Sequence, residues 1–72
     1  MEKYYPQIGA IYHHFKGGDY KVICLAKHSE TDEEFVVYQS VSFGTTYVRP
    51  LSMWFDIIKV DDNVVTPRFK AL

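Results

Sequence analysis

Apolar residues in this chain recur at every second position in short runs, and no helix of ordinary length fits their pattern. Only strands satisfy that pattern, because successive side chains of a strand project to opposite faces. Valine, isoleucine, tyrosine and phenylalanine crowd these runs, and glycine, proline, aspartate and asparagine separate them. The alternation predicts strands over residues 9–16, 20–28, 35–41, 46–49 and 55–60, with a short edge strand over 64–69. Turns fall at Gly17-Gly18-Asp19, Ser29-Glu30-Thr31-Asp32, Ser42-Phe43-Gly44-Thr45 and Asp61-Asp62-Asn63, with Asn63 suited to the left-handed conformation. Pro50 lacks the N–H a ladder needs and ends the fourth strand, and Leu51-Ser52-Met53-Trp54 is long enough only for a single 3₁₀ turn.

Five main strands with two apolar faces need a shared interior. A chain of 72 residues buries only about 60% of its extended surface, and an open sheet would leave its aromatic residues in water. Curling the sheet into a small antiparallel barrel gives both faces one core. The expected fold is therefore all-β, one domain over residues 1–72, with Ile11, Val22, Ile23, Leu25, Val37, Val48 and Ile57 contributing heavily to the core.

Eight Lys plus Arg against nine Asp plus Glu give a formal charge of -1, without the basic excess that phosphate backbones demand. The acids Asp19, Glu30, Asp32, Glu33 and Glu34 dilute the basic residues Lys16, Lys21, Arg49 and Arg68, so nucleic acid is the weaker partner class. No apolar run approaches the roughly 18 to 20 residues that cross a bilayer as a helix. A single cysteine forms no internal disulfide, and the amino end does not read as a secretory leader. These features lead to the expectation of a cytoplasmic protein with no membrane partner.

The blocks His14-Phe15-Lys16-Gly17-Gly18, Tyr20-Lys21-Val22, Ala26-Lys27-His28-Ser29-Glu30-Thr31, Val36-Val37-Tyr38-Gln39 and Val48-Arg49-Pro50-Leu51-Ser52-Met53 occur in that order, followed by Arg68-Phe69. In these the chain resembles the bacterial family called domain of unknown function 1653. Asn63 stands where that family often has glycine, and Tyr47 and Trp54 replace other aromatics. The resemblance implies an SH3-like barrel. It implies no activity, cofactor or partner, and fold alone is weak evidence for function.

Several residues carry chemistry that two readings explain differently. His28 and Glu30, two apart, bring an imidazole beside a carboxylate if the strand runs straight into its loop, and such a pair moves a proton or orients a ligand. The alternative has Ser29, Glu30 and Thr31 shaping the hairpin while His28 bonds to backbone. His13 and His14 point to opposite faces and cannot chelate one ion, so neither a metal nor another cofactor is expected. Cys24, between Val22 and Ala26, reads as a small buried hydrophobe rather than a nucleophile. Arg49, at a strand end, either grips an external anion bidentately or is held by an internal carboxylate, with Glu30, Glu33, Glu34 and Asp56 as candidates and the internal pairing favoured.

Twelve aromatics exceed what one small core hides, so some of Tyr4, Tyr5, Tyr12, Tyr20, Tyr38, Tyr47 and Trp54 are expected at the surface. The candidate ligand contacts are His14, His28, Glu30, Tyr38, Arg49 and Trp54. Together they describe a binding module for a peptide, a protein or a small ligand. The rival is a small hydrolase or transferase using His28, Glu30 and Arg49, completed by Tyr38 or His14, and against it stands the lack of any motif that activates a nucleophile.

Overall fold

The computed structural model of the chain describes residues 5–72, and Tyr4 lies outside them. The elements run β1 (Ile11–His14), β2 (Asp19–Lys27), β3 (Glu34–Ser40), β4 (Thr46–Pro50), α1 (Leu51–Trp54), β5 (Ile57–Asp61), β6 (Val64–Pro67) and β7 (Phe69–Ala71). Each expected strand is present, and the edge segment divides into β6 and β7 around Arg68, giving seven strands where five main strands and one edge strand were expected. The element after Pro50 is one α-helical turn rather than a 3₁₀ turn, although it exits through the Asp56 N–H bonding the Met53 carbonyl three residues back.

Five strands form one antiparallel sheet in the order β4-β3-β2-β1-β7, and β5 and β6 pair separately as a hairpin. Among the described residues β4 and β7 are each paired on one side only, so the ladders do not run full circle. Backbone bonds tie the hairpin to the sheet end: Arg68 N–H to the Asp56 carbonyl at 2.8 Å, and Phe15 N–H to the Arg68 carbonyl at 3.0 Å.

Gly18 shows why the first turn requires glycine. Its φ is +89°, and a Cβ there would sit 3.3 Å from the Tyr20 ring. In the second turn Asp32 takes the left-handed conformation at φ 59°, which a short polar side chain tolerates. Among the described non-glycine residues it alone has positive φ, so Asn63 does not use that conformation.

A bulge in β2 decides which residues are buried. Val22 pairs with Tyr38, but Cys24 pairs with Val37 and Leu25 with Val36, so the register slips by one at Ile23. An extra residue exchanges the two faces for everything beyond it. Val22 and Leu25 therefore share the inner face, and Cys24 turns outward, where its thiol is exposed rather than buried.

The core consists of Tyr12, Val22, Val36, Tyr38, Trp54 and Phe69. Of the expected core residues only Val22 is fully buried. Ile11 and Val37 are half-buried, Ile23 and Leu25 are exposed at the bulge and beyond it, and Val48 and Ile57 are each 63% exposed. The physical reason is that aromatic side chains fill the inner face. Tyr12 and Phe69 come from neighbouring strands and Trp54 from α1, each covering more area than an aliphatic side chain.

Candidate functional site

Strand pairing places the inner-face residues in rows. Tyr12 lies opposite Tyr20 and Ala71, and His14 opposite Phe69. Tyr38 lies opposite Val22 and Tyr47, and Val36 opposite Arg49. Because residues directly across a ladder project to the same face, the register gathers His14, Tyr20, Tyr38, Tyr47, Arg49 and Phe69 on one side of the sheet.

The rings touch. Tyr38 stacks on Tyr47 with centroids 5.6 Å apart, Tyr20 meets Tyr47 edge-on at 6.1 Å, and Phe69 meets Tyr20 and Tyr38 edge-on at 6.0 and 5.5 Å. Two basic side chains flank this cluster. The Arg49 guanidinium lies 5.8 Å from the Phe69 centroid, and the His14 ring lies 4.9 Å from it. Arg49 Nε donates to the Tyr38 hydroxyl at 3.3 Å.

No carboxylate among the described residues pairs with Arg49, contrary to the favoured internal partner. Asp56 is engaged by Arg68, whose Nη2 lies 3.5 Å from its Oδ2 and whose Nε donates to the Met53 carbonyl. Trp54 Nε1 is the one buried side-chain polar atom without a partner among the described residues, so the terminal nitrogens of half-buried Arg49 are not sealed in.

His14 accepts the Lys16 N–H at its Nδ1 at 3.2 Å, which leaves the ring proton on Nε2 in the neutral form. Burial holds its pKa below the ordinary histidine value, and the positive charges of Arg49, Arg68, Lys16 and His13 lower it further. A neutral N–H donor beside an arginine without an acid is an arrangement that receives negative charge.

The remaining sequence candidates stand elsewhere. His28 Nδ1 accepts the Glu30 N–H at 3.2 Å, so this pair shapes its hairpin as the structural reading expects. The His28 ring packs toward Phe35, 6.4 Å between centroids, and Phe35 alternates with Val36 on β3, which puts His28 on the opposite sheet face from Tyr38 and Arg49. The four groups of the catalytic rival do not converge. Trp54 is 0% exposed and supports the cluster from beneath through a parallel stack on Phe69. Tyr20 and Tyr47 were legible only as members of a pool of aromatics, whereas the register of β2 with β3 and β4 singles them out.

Two surface grooves are lined by neither Arg49 nor His14. One of about 570 Å³ is walled by Lys27, Asp32, Glu33, Glu34, Leu51, Ser52 and Phe55, and one of about 510 Å³ by Tyr5, Tyr12, Phe55, Phe69 and Ala71. The first sets Lys27 beside Asp32, Glu33 and Glu34 over an apolar floor of Leu51 and Phe55, and the second offers mainly rings. No described helix is long and apolar enough to cross a membrane, and no group of three or more potential metal ligands occurs among the described residues.

Comparison with known proteins agrees with this architecture. The sequence matches the family described as Protein of unknown function (DUF1653) over residues 10–71. It is similar to the crystal structure of a DUF1653 protein from Bordetella bronchiseptica, with 31% identity over 85% of this chain and 81% of that one and a TM-score of 0.72. No curated protein matches. Since the match spans both the sheet carrying the aromatic cluster and the hairpin behind it, the chain belongs to the DUF1653 family.

Proposed function

We propose that this domain is a non-catalytic recognition module that binds its ligand on the inner sheet face around Arg49. The observation that carries this reading is a half-buried guanidinium held by the Tyr38 hydroxyl and the Phe69 ring, with no carboxylate partner among the described residues. Folding an arginine into a partly desolvated place without an acid costs free energy, and a bound ligand recovers that cost. The sheet with its hairpin is read here as an opened SH3-like barrel, in which a shallow ligand face favours recognition over water-excluded chemistry.

The test is a chemical-shift screen of isotope-labelled protein against small molecules and short peptides. Binding at this face moves the resonances of His14, Tyr47 and Arg49 and leaves those of His28 and Glu30 in place. A ligand that instead moves the His28 hairpin alone refutes the assignment.

A further inference from the structure

We infer that the ligand is a small oxyanion, phosphate or carboxylate, borne on a planar ring, with its charged end on Arg49 and its ring on Tyr47. This rests on the binding reading above and specifies its chemistry. Nε is engaged by Tyr38, while the two terminal nitrogens have no hydrogen-bond partner among the described residues and are not sealed in. Paired N–H groups on those nitrogens match two oxygens of one anion in parallel. His14 sits on the same Phe69 ring and adds the Nε2 N–H as a further donor.

The electrostatic setting agrees. Burial and then the nearby cations, Arg49 first among them, favour the neutral form of His14, so Arg49 supplies a permanent charge and His14 an N–H donor. Of the other groups that act on His14, Arg68 is compensated by Asp56, Lys16 leans over the Phe15 ring, and His13 is turned to the outer face, where it bonds Asp19 at 2.8 Å.

Tyr47 supplies the second half of the site. Its ring is braced against Tyr38 on one side yet remains 44% exposed. An aromatic ring fixed in orientation and open to solvent is a stacking platform.

The experiment titrates labelled wild-type protein with phenyl phosphate, benzoate, inorganic phosphate and benzyl alcohol. The charged ring probes bind at least tenfold tighter than benzyl alcohol, and the order of phenyl phosphate and benzoate identifies which oxyanion the site takes. Arg49→Gln weakens the better probe at least tenfold, and Arg49→Lys, which keeps the charge but not the paired donors, recovers only part. Tyr47→Ala weakens both ring probes and leaves inorganic phosphate unchanged.

Equal affinity for benzyl alcohol and the charged probes overturns the oxyanion while leaving the face a binding surface. The oxyanion is likewise overturned if none of the four probes binds while a ligand from the wider screen does bind at Arg49. Binding confined to another surface overturns both readings. If Arg49→Gln loses its folded spectrum, Arg49→Lys and Tyr47→Ala carry the test.

Discussion

The indole of Trp54 lies parallel on the Phe69 ring, with centroids 3.9 Å apart and planes 7° from parallel. One contact thus joins the single helical turn to the last strand of the sheet. Tyr12 and Tyr38 close on the indole edge-on at 5.5 and 5.1 Å, so the stack also braces the floor of the Arg49 face.

Phe69→Ala removes that stack. A buried phenylalanine truncated to alanine costs about 3 to 5 kcal/mol, comparable to the whole stability of a domain this small. Chemical denaturation is expected to show a largely unfolded protein in water, with Phe69→Leu retaining a cooperative transition at reduced midpoint. An unchanged midpoint for Phe69→Ala would place the core elsewhere.

The β2 bulge ranks two further truncations. Val36 is 0% exposed and Leu25, its partner across the ladder, is 37% exposed. Val36→Ala is expected to cost about 2 kcal/mol, and Leu25→Ala about 1 kcal/mol although it removes more atoms, because the transfer term counts only area withdrawn from water. Paired urea melts check the order, and a larger loss for Leu25→Ala would contradict it.

His14 gives the stability a pH dependence of known sign. Its folded-state pKa is lowered, by burial first and by Arg49 next, so the unfolded chain takes up its proton at a higher pH than the folded one. Stability is therefore complete above the unfolded value of about 6.5 and falls as pH drops below it, until the lowered folded pKa is passed. Between pH 7.5 and 5, wild type is expected to lose more stability than His14→Gln. An NMR titration of the His14 ring with a midpoint at or above 6.5 would reverse the sign.

Arg49→Ala is expected to cost about 1 to 2 kcal/mol. The change removes a cation–π contact and leaves the buried Tyr38 hydroxyl without its donor. No buried carboxylate is stranded, so the loss stays below the roughly 3 to 5 kcal/mol of a broken buried ion pair. A loss in that higher range, measured by denaturation, would show that an acid holds the arginine in solution.

Strand positions, turn positions and the element after Pro50 were legible in the sequence because each depends on neighbouring residues. Period-two alternation, glycine at positive φ and the missing N–H of proline act within a few positions of the chain. The opposite projection of His13 and His14 was legible for the same reason. In the site, His14, Tyr38 and Arg49 were named from the sequence, and His28 and Glu30 were named with them although they lie in the turn between β2 and β3, with His28 on the opposite sheet face.

Only the tertiary structure decided the faces and the partners. One extra residue at Ile23 exchanges the two sides of β2, and no local pattern announces it, because the residues on either side are apolar in both registers. That slip turned Cys24 outward and left Leu25 at the rim of the core. Trp54 and Phe69 became its centre through a contact between segments fifteen residues apart in the chain, and Asp56, one of the four carboxylates expected for Arg49, pairs instead with Arg68 across the open end of the β5–β6 hairpin. Alternation states that a strand has two faces; which one is buried follows from what packs against it.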